Sequence, residues 1–382
     1  MNLLFVSPAI VEVCNGKCYN NALATAIPRY LKYADHLTSV SFRKECAASS
    51  ARLLNFPHTD FVFTEKVNTL KGLIWGRREN RKILEESVRN ADVCIVHIPS
   101  FAGEDIVRLA RKYGKPCLQV IIGCPWDAYW NYSMKGKMVA PFRYRALRRT
   151  VRSAEYVIYV TDKFLQERYP TRGRALGCSD VELADVSTEI LDRRREKIAN
   201  ITDGLVKLGT LAAVDVRYKG QEYVIRSIAE LKKEGKKFEY HLAGGGDNAY
   251  LRALSIKLGV EEQLIFHGML PHEKVFDFLD GIDIYVQPSK LEGLPRALVE
   301  AMSRACPALG TAVGGIPELL DRDCLFRAGN VREITGLLKK LDKGKMEQLA
   351  CRNFEKSKLY EREYLEQQRD KFIQFFLNDQ LK

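Results

Sequence analysis

Two carboxylates and one lysine stand out by type and spacing. Glu292 and Glu300 have seven residues between them in Gln287-Pro-Ser-Lys-Leu-Glu292-Gly-Leu-Pro-Arg-Ala-Leu-Val-Glu300-Ala-Met, where an apolar run passes through a loop into a helical pattern. Glu292 falls in the loop and Glu300 about a turn inside the helix. The rise per residue then puts the two carboxylates roughly 8–12 Å apart. That is far for a shared metal but suits two hydroxyl-bearing ends of one extended ligand. A nucleotide sugar, with a ribose at one end and a hexose at the other, has that form. Gly293 lets the backbone approach a ligand closely, Pro295 suits the first turn of a helix, and the exposed amides there favour oxygen-rich anions. Lys219, in Tyr218-Lys-Gly220, could stabilise a diphosphate leaving group, whose charge grows in the transition state. The plainer alternative is a helix carrying solvated glutamates.

The elements that would position these groups alternate between strand and helix. In the second half, buried strands are predicted at Val206–Leu211, Phe238–Ala243, Leu264–His267, Ile282–Gln287 and Pro307–Thr311. Helices are predicted near Gln221–Glu234, Asn248–Leu258, His272–Leu279 and Arg296–Arg304. This order implies a parallel sheet covered on both faces. The first half repeats the theme with strands at Asn2–Val6, Thr38–Phe42, Phe61–Thr64, Val93–Ile98, Cys117–Ile122 and Tyr156–Thr161. Its predicted helices are Asn20–Tyr33, Arg78–Arg89, Gly103–Tyr113 and Pro141–Arg152. At 382 residues the chain exceeds what one core usually serves. Two open α/β domains are expected, 1–180 and 181–359, joined by the polar stretch Ser179–Asn200. Phe354–Leu377 reads as one long helix, and in such sheets ligands bind at the carboxyl ends of the strands.

The Glu-x7-Glu signature, inside Ser-x-x-Glu-Gly-x-Pro-x-x-x-x-Glu-Ala-Met, resembles the family-4 retaining glycosyltransferases. The resemblance extends over about 204–340 through Tyr218-Lys219-Gly220, Leu242-Ala-Gly244-Gly-Gly-Asp247, Phe266-His-Gly268, Asp283-Ile-Tyr and Thr311-Ala-Val-Gly314-Gly-Ile-Pro-Glu318. It implies the GT-B fold: two Rossmann-like domains with parallel sheets facing a central cleft, and a C-terminal helix, about 360–382, packing back on the first. The first would take the acceptor and the second the nucleotide-sugar donor. By the same resemblance Glu300 would bind the ribose, and Glu292 with the backbone of Gly293 and Leu294 the transferred sugar. Lys219 would neutralise the diphosphate, while Gly244, Gly268 and Gly16, in a glycine loop Asn15-Gly16-Lys17 after the first strand that leads into a helix, would lie near the nucleotide. The family's arginine after the first strand of this domain is replaced by Thr210, with Arg217 a possible substitute. Many relatives carry a histidine after a first-domain strand; here Gly123-Cys-Pro-Trp-Asp127 follows Cys117–Ile122. Asp127 is the nearest ionisable group, able to take the acceptor's proton or position its hydroxyl. A turn-capping or ion-paired carboxylate is the alternative. His97 ends another first-domain strand and reads more readily as structural.

Charge is unevenly spread. Residues 1–180 hold 28 Lys and Arg against 16 Asp and Glu, whereas 181–382 hold 32 of each. An anionic partner for the first half follows. Lys135, Lys137, Arg143, Arg145, Arg148, Arg149 and Arg152, interleaved with Phe142, Leu147 and Val151, suit an anionic bilayer. Trp75 with Lys71, Arg77, Arg78, Arg81 and Lys82 forms a second cluster, and a solvated charged face is the alternative for both. No nucleic-acid module accompanies the charge. No run of about 18 uncharged apolar residues occurs, and the N-terminus does not read as a signal peptide. Ten cysteines without paired spacing read as reduced thiols of a cytoplasmic protein. No zinc set or strand-end aspartate pair suggests a metal, and no cofactor is implied. The expected function is a retaining, metal-independent glycosyltransferase (a hexosyltransferase), peripheral on the inner face of the cell membrane. It would extend a saccharide, on a lipid diphosphate, in capsule, exopolysaccharide or lipopolysaccharide assembly. The rivals are a sugar-nucleotide epimerase or hydrolase of the same fold, and a non-catalytic basic binding protein.

Overall fold

The computed structural model describes residues 1–64, 77–183, 187–201 and 204–381. The chain divides into two compact units: Met1–Trp126, Met138–Gly177 and Lys371–Lys382 form one, and Asp127–Lys137 with Cys178–Asp370 form the other. Asp127 thus groups with the second unit.

The first unit is built on β1 (Asn2–Cys14), β2 (Lys17–Tyr19), β3 (His36–Glu45), β4 (Thr59–Thr64), β5 (Val93–Ile98), β6 (Cys117–Ile121), β7 (Tyr156–Tyr159) and β8 (Arg174–Gly177). The order is β4-β3-β1-β5-β6-β7-β8, with β2 paired to β1. Among these strands β1 and β2 pair antiparallel and the other neighbours parallel. Every residue of β5 is buried, as a parallel strand covered on both faces requires. Cys94, Val96 and Ile98 join one core with Ile106 and Ala110 of the helix Phe101–Lys112.

The structure departs from the sequence expectations at four places. The first strand does not end at Val6: it runs to Cys14, with a register shift between Val6 and Ile10 around Pro8, which has no amide to donate. Asn15 and Gly16 then take φ of 50° and 75° and turn the chain straight into β2. Gly16 is therefore the exposed tip of a two-residue hairpin, not part of a loop that opens a helix. The cysteines are not all thiols: Cys14 and Cys46 form a disulfide across a Cα–Cα distance of 5.3 Å. Pairing of Val13 with Glu45 makes the next residue on each strand a neighbour. In the helix Met134–Arg152, Leu147 and Val151 are wholly buried, while Met138 and Phe142 are 75% and 70% exposed. The exposed large apolar residues of this helix are thus Met134, Met138, Val139 and Phe142, and Arg143 is spent on Glu104, 2.5 Å away, over the Phe101 ring. Lys71 and Trp75 of the second basic cluster lie outside the described residues. His97 is buried, its Nε2 3.2 Å from the Tyr30 hydroxyl and its ring edge-on to Phe5.

The second unit is built on β9 (Leu205–Leu211), β10 (Lys237–Ala243), β11 (Leu264–Gly268), β12 (Ile284–Gln287), β13 (Ala308–Thr311) and β14 (Leu325–Phe326). All are parallel, in the order β11-β10-β9-β12-β13-β14. The stretch Ser179–Asn200 is no mere connection: it holds the helix Glu189–Ala199. Arg194 of that helix is buried and donates to the carbonyls of Leu279, Ile282 and Arg304 at 2.8, 2.6 and 3.1 Å. The predicted single helix Phe354–Leu377 is two, Lys343–Ser357 and Arg362–Gln380, parted by a short 3₁₀ turn. The last turns belong to the first unit, where Phe372, Phe375 and Phe376 surround Tyr156 with ring centroids 5.1–6.1 Å apart. No helix among the described residues is long and apolar enough to cross a membrane.

Candidate active site in the second unit

Strand order fixes where a ligand can sit. β10 and β11 lie on one side of β9, β12 to β14 on the other, so the loops leaving β9 and β12 part at their carboxyl ends. Such a switch point opens a crevice for ligands. Lys219 lies beyond β9, and Glu292 and Glu300 lie beyond β12.

The two loops are tied together by backbone. Lys290 N donates to Tyr218 O at 2.7 Å. Gly220, at φ 76°, sits so close to the Pro288 carbonyl that a Cβ would overlap it. A third loop, after β13, closes the set: Thr311 Oγ1 donates to Ser289 O at 2.6 Å and Gly315 N to Gly293 O at 2.6 Å. Gly314, at φ 58°, lies against the carbonyl of Glu292.

Within this frame Lys219 Nζ is 2.7 Å from Glu292 Oε1, with side chains 22% and 11% exposed. The same oxygen accepts from Gln287 Nε2 at 3.0 Å. Burial holds the Tyr285 phenol well above its ordinary range, so it remains a donor and gives its proton to Gln287 Oε1 at 2.7 Å. That bond fixes which way the Gln287 amide points, leaving its NH₂ for Ser289 Oγ and Glu292. Tyr285 and Gln287 are thus positioning residues, a role that residue type and motif do not announce.

Glu300 is different in kind. Its residue is 8% exposed, and burial raises its carboxyl above the usual range, opposed by Arg296 and His272. Among the described residues its carboxylate has no hydrogen-bond partner; only its backbone carbonyl bonds, to Ser303 and Arg304. A buried acid without donors is costly in the empty protein and able to accept from a ligand's hydroxyls.

The remaining residues divide. Gly244 N donates to Gly268 O at 2.8 Å, and Val214 N to Gly245 O at 3.0 Å, so the loops after β9, β10 and β11 meet at the same end of the sheet. Gly244 packs on the Ala212 carbonyl, and Gly268 takes φ 68°. Arg217 lies over the Tyr250 ring, 3.4 Å from its centroid, and 3.7 Å from Glu222. Among the described residues no bond joins Arg217 to Lys219 or Glu292. Thr210 is buried in β9 and bonds Val286 O at 2.6 Å and the Tyr240 hydroxyl at 2.8 Å. It does the work of core packing. Asp127 stands in the first turn of the helix Pro125–Tyr132, its carbonyl accepting from Asn131 at 2.9 Å.

Residues 207–356 match the family described as Glycosyl transferases group 1. This chain carries a glycosyltransferase group 1 domain. Its boundaries enclose β9 to β14, and with them Lys219, Glu292 and Glu300. The chain is 28% identical to Protein CapJ of Staphylococcus aureus over 98% of its own length and 95% of that protein. It is 32% identical to the amylovoran biosynthesis glycosyltransferase AmsK of Erwinia amylovora over 33% of each chain. The solved structure of Anabaena Alr3699/HepE in complex with UDP-glucose overlays at a TM-score of 0.66 and 16% identity, covering 98% of this chain and 99% of that one. At that identity the likeness is one of fold, and the fold is GT-B. The chain is a glycosyltransferase.

Proposed function

We propose that the enzyme transfers a sugar from a nucleoside-diphosphate sugar to a saccharide carried on a lipid diphosphate, retaining anomeric configuration and requiring no metal. The observation that carries the reading is the pairing of Lys219 with Glu292 at the switch point, beside a buried Glu300 that lacks donors. Glu300 accepts from the ribose hydroxyls. Lys219 takes the diphosphate, whose charge grows as the bond from the sugar's C1 to the phosphate oxygen breaks. Glu292, with the amides at Gly293 and Leu294, holds the sugar. The acceptor hydroxyl bonds to C1 from the same face, and its proton passes to the departing diphosphate. Asp127 is the group proposed to position the acceptor's hydroxyl.

A polysaccharide product is supported by the names of AmsK and its kind, and a UDP-sugar by the ligand of HepE. The exposed Met138, Val139 and Phe142 beside Arg145 and Arg148 suit the inner, anionic face of the cell membrane. The test is incubation with UDP- and GDP-sugars, with and without a lipid-linked saccharide, in excess EDTA. The reading requires acceptor-dependent transfer that EDTA leaves intact. Turnover without acceptor would make the protein an epimerase or hydrolase, and donor binding without turnover a sensor. Loss in EDTA restored by magnesium or manganese would refute metal independence.

A further inference from the structure

The first unit has a cavity that the transfer chemistry does not use. It lies at the amino ends of the strands, where Met1 precedes β1, Asp92 precedes β5, Pro116 precedes β6 and Glu155 precedes β7. In a parallel α/β sheet this is the end opposite the usual ligand crevice. Its volume is about 670 Å³, within the range of small-molecule sites.

One wall is a buried polar group without a partner. Gln119, in the middle of β6, is 2% exposed and lines the cavity. Its Oε1 is fully buried and unbonded, and its amide makes no side-chain hydrogen bond among the described residues. Leaving such a group unmet costs about 1–3 kcal/mol, and a turn of the amide toward the cavity that Gln119 lines would let a ligand's hydroxyl meet it. Lys115 and Arg111 stand at the same wall, Arg111 donating to Ser153 Oγ.

The rim continues into an adjoining concavity of about 420 Å³, lined by Arg149, Arg152 and Arg172 and sharing Ser153, Ala154 and Glu155 with the first. Among the described residues none of these three arginines has an ion-pair partner, while Arg143, earlier in the same helix, is paired with Glu104. Three arginines lining one hollow suit a phosphate, because the planar forks of their guanidiniums match phosphate oxygens. Glu155 is the carboxylate that lines the hollow with them. It leaves the hollow net positive and can accept from a ligand's hydroxyl.

We propose that this edge of the first unit binds a small phosphorylated, polyhydroxylated molecule, a sugar phosphate in chemical class. The phosphate sits on Arg149, Arg152 and Arg172, and the hydroxylated body reaches the Gln119 amide. The site is separate from the donor site and does not depend on its assignment. A cavity leading to a buried amide favours a soluble ligand over a bilayer, which would touch only the rim.

Titration calorimetry of the full chain with glucose 6-phosphate, inorganic phosphate and glucose tests this. Saturable binding of glucose 6-phosphate is expected, at least tenfold tighter than either part alone. Arg149→Ala/Arg152→Ala/Arg172→Ala changes only exposed side chains and should weaken it about a hundredfold or more. Gln119→Leu should weaken it several-fold, and a thermal-unfolding trace shows that each variant is folded. Failure of glucose 6-phosphate to bind, or equal binding by the triple variant, overturns the proposal. So does binding confined to phosphatidylglycerol vesicles, abolished in the triple variant, which would assign the arginines to the bilayer.

Discussion

Replacing Glu292 with Gln isolates the role of its charge. In the free protein Glu292 Oε1 holds Lys219 at 2.7 Å and Gln287 at 3.0 Å, so an incoming diphosphate must draw Lys219 away from a carboxylate. The variant keeps the shape and removes that competitor. Lys219 is 22% exposed and can turn to water, so the stability cost lies between that of a surface pair and a buried one, about 1–2 kcal/mol. A unit of this size then melts roughly 2–8 °C lower. Nucleoside diphosphate affinity should be unchanged or several-fold tighter. Turnover should fall about a hundredfold, since Glu292 is proposed to hold the sugar as its charge and shape change. Calorimetry with the nucleoside diphosphate and steady-state kinetics with the intact donor measure the two effects. If Glu292→Gln loses nucleotide binding at unchanged turnover number, the reasoning about this pair is wrong.

Burial raises the folded-state carboxyl of Glu300 above its ordinary 4.5, so ionising it costs stability progressively as pH rises from below 4.5 through the folded value. Glu300→Gln should therefore melt higher than wild type at pH 7, with the gap closing below pH 4.5; a gap equal at both pH values refutes it. Gly314→Ala places a methyl against the Glu292 carbonyl at φ 58° and should destabilise by about 1–3 kcal/mol in denaturant unfolding and lower turnover. Gly336→Ala, in the helix Val331–Lys339 with open space around it, should be neutral or slightly stabilising. Met138→Ser/Phe142→Ser removes two exposed apolar side chains and should cut flotation with phosphatidylglycerol vesicles several-fold without changing the melting temperature. Undiminished flotation would remove this face from the membrane reading.

Much of the second unit was legible because local signals agreed. β9, β10 and β12 are apolar runs closed by Gly, Pro or Asp, and the helix after Pro295 begins where its ring allows. Lys219 and Glu292 could be named from residue type and motif, but their contact could not, because 73 positions separate them and only the β9–β12 neighbourhood joins their loops. Gln287 was hidden for a related reason: a glutamine at a strand end has no chemistry until a buried Tyr285 orients it. Asn15-Gly16 carried a hairpin signal, obscured by Pro8 midway along the run and by the expectation of a glycine loop. The disulfide depends on β1 pairing with β3, which cysteine spacing does not encode. The helix Glu189–Ala199 is hard to read from sequence because seven of its eleven residues are charged. Burial of Arg194 on three carbonyls, a tertiary effect, makes it part of the core.

The central claim is that the second unit holds a nucleotide sugar with Glu300 on the ribose. Titration calorimetry of wild type and Glu300→Gln with UDP, GDP and ADP, in EDTA, tests it most directly. Saturable binding of one nucleotide is expected in wild type. Glu300→Gln should weaken it about tenfold to a hundredfold, the loss of hydrogen bonds to a charged acceptor at about 1.5–3 kcal/mol. Binding of none of the three, or equal binding by the variant, would contradict the account.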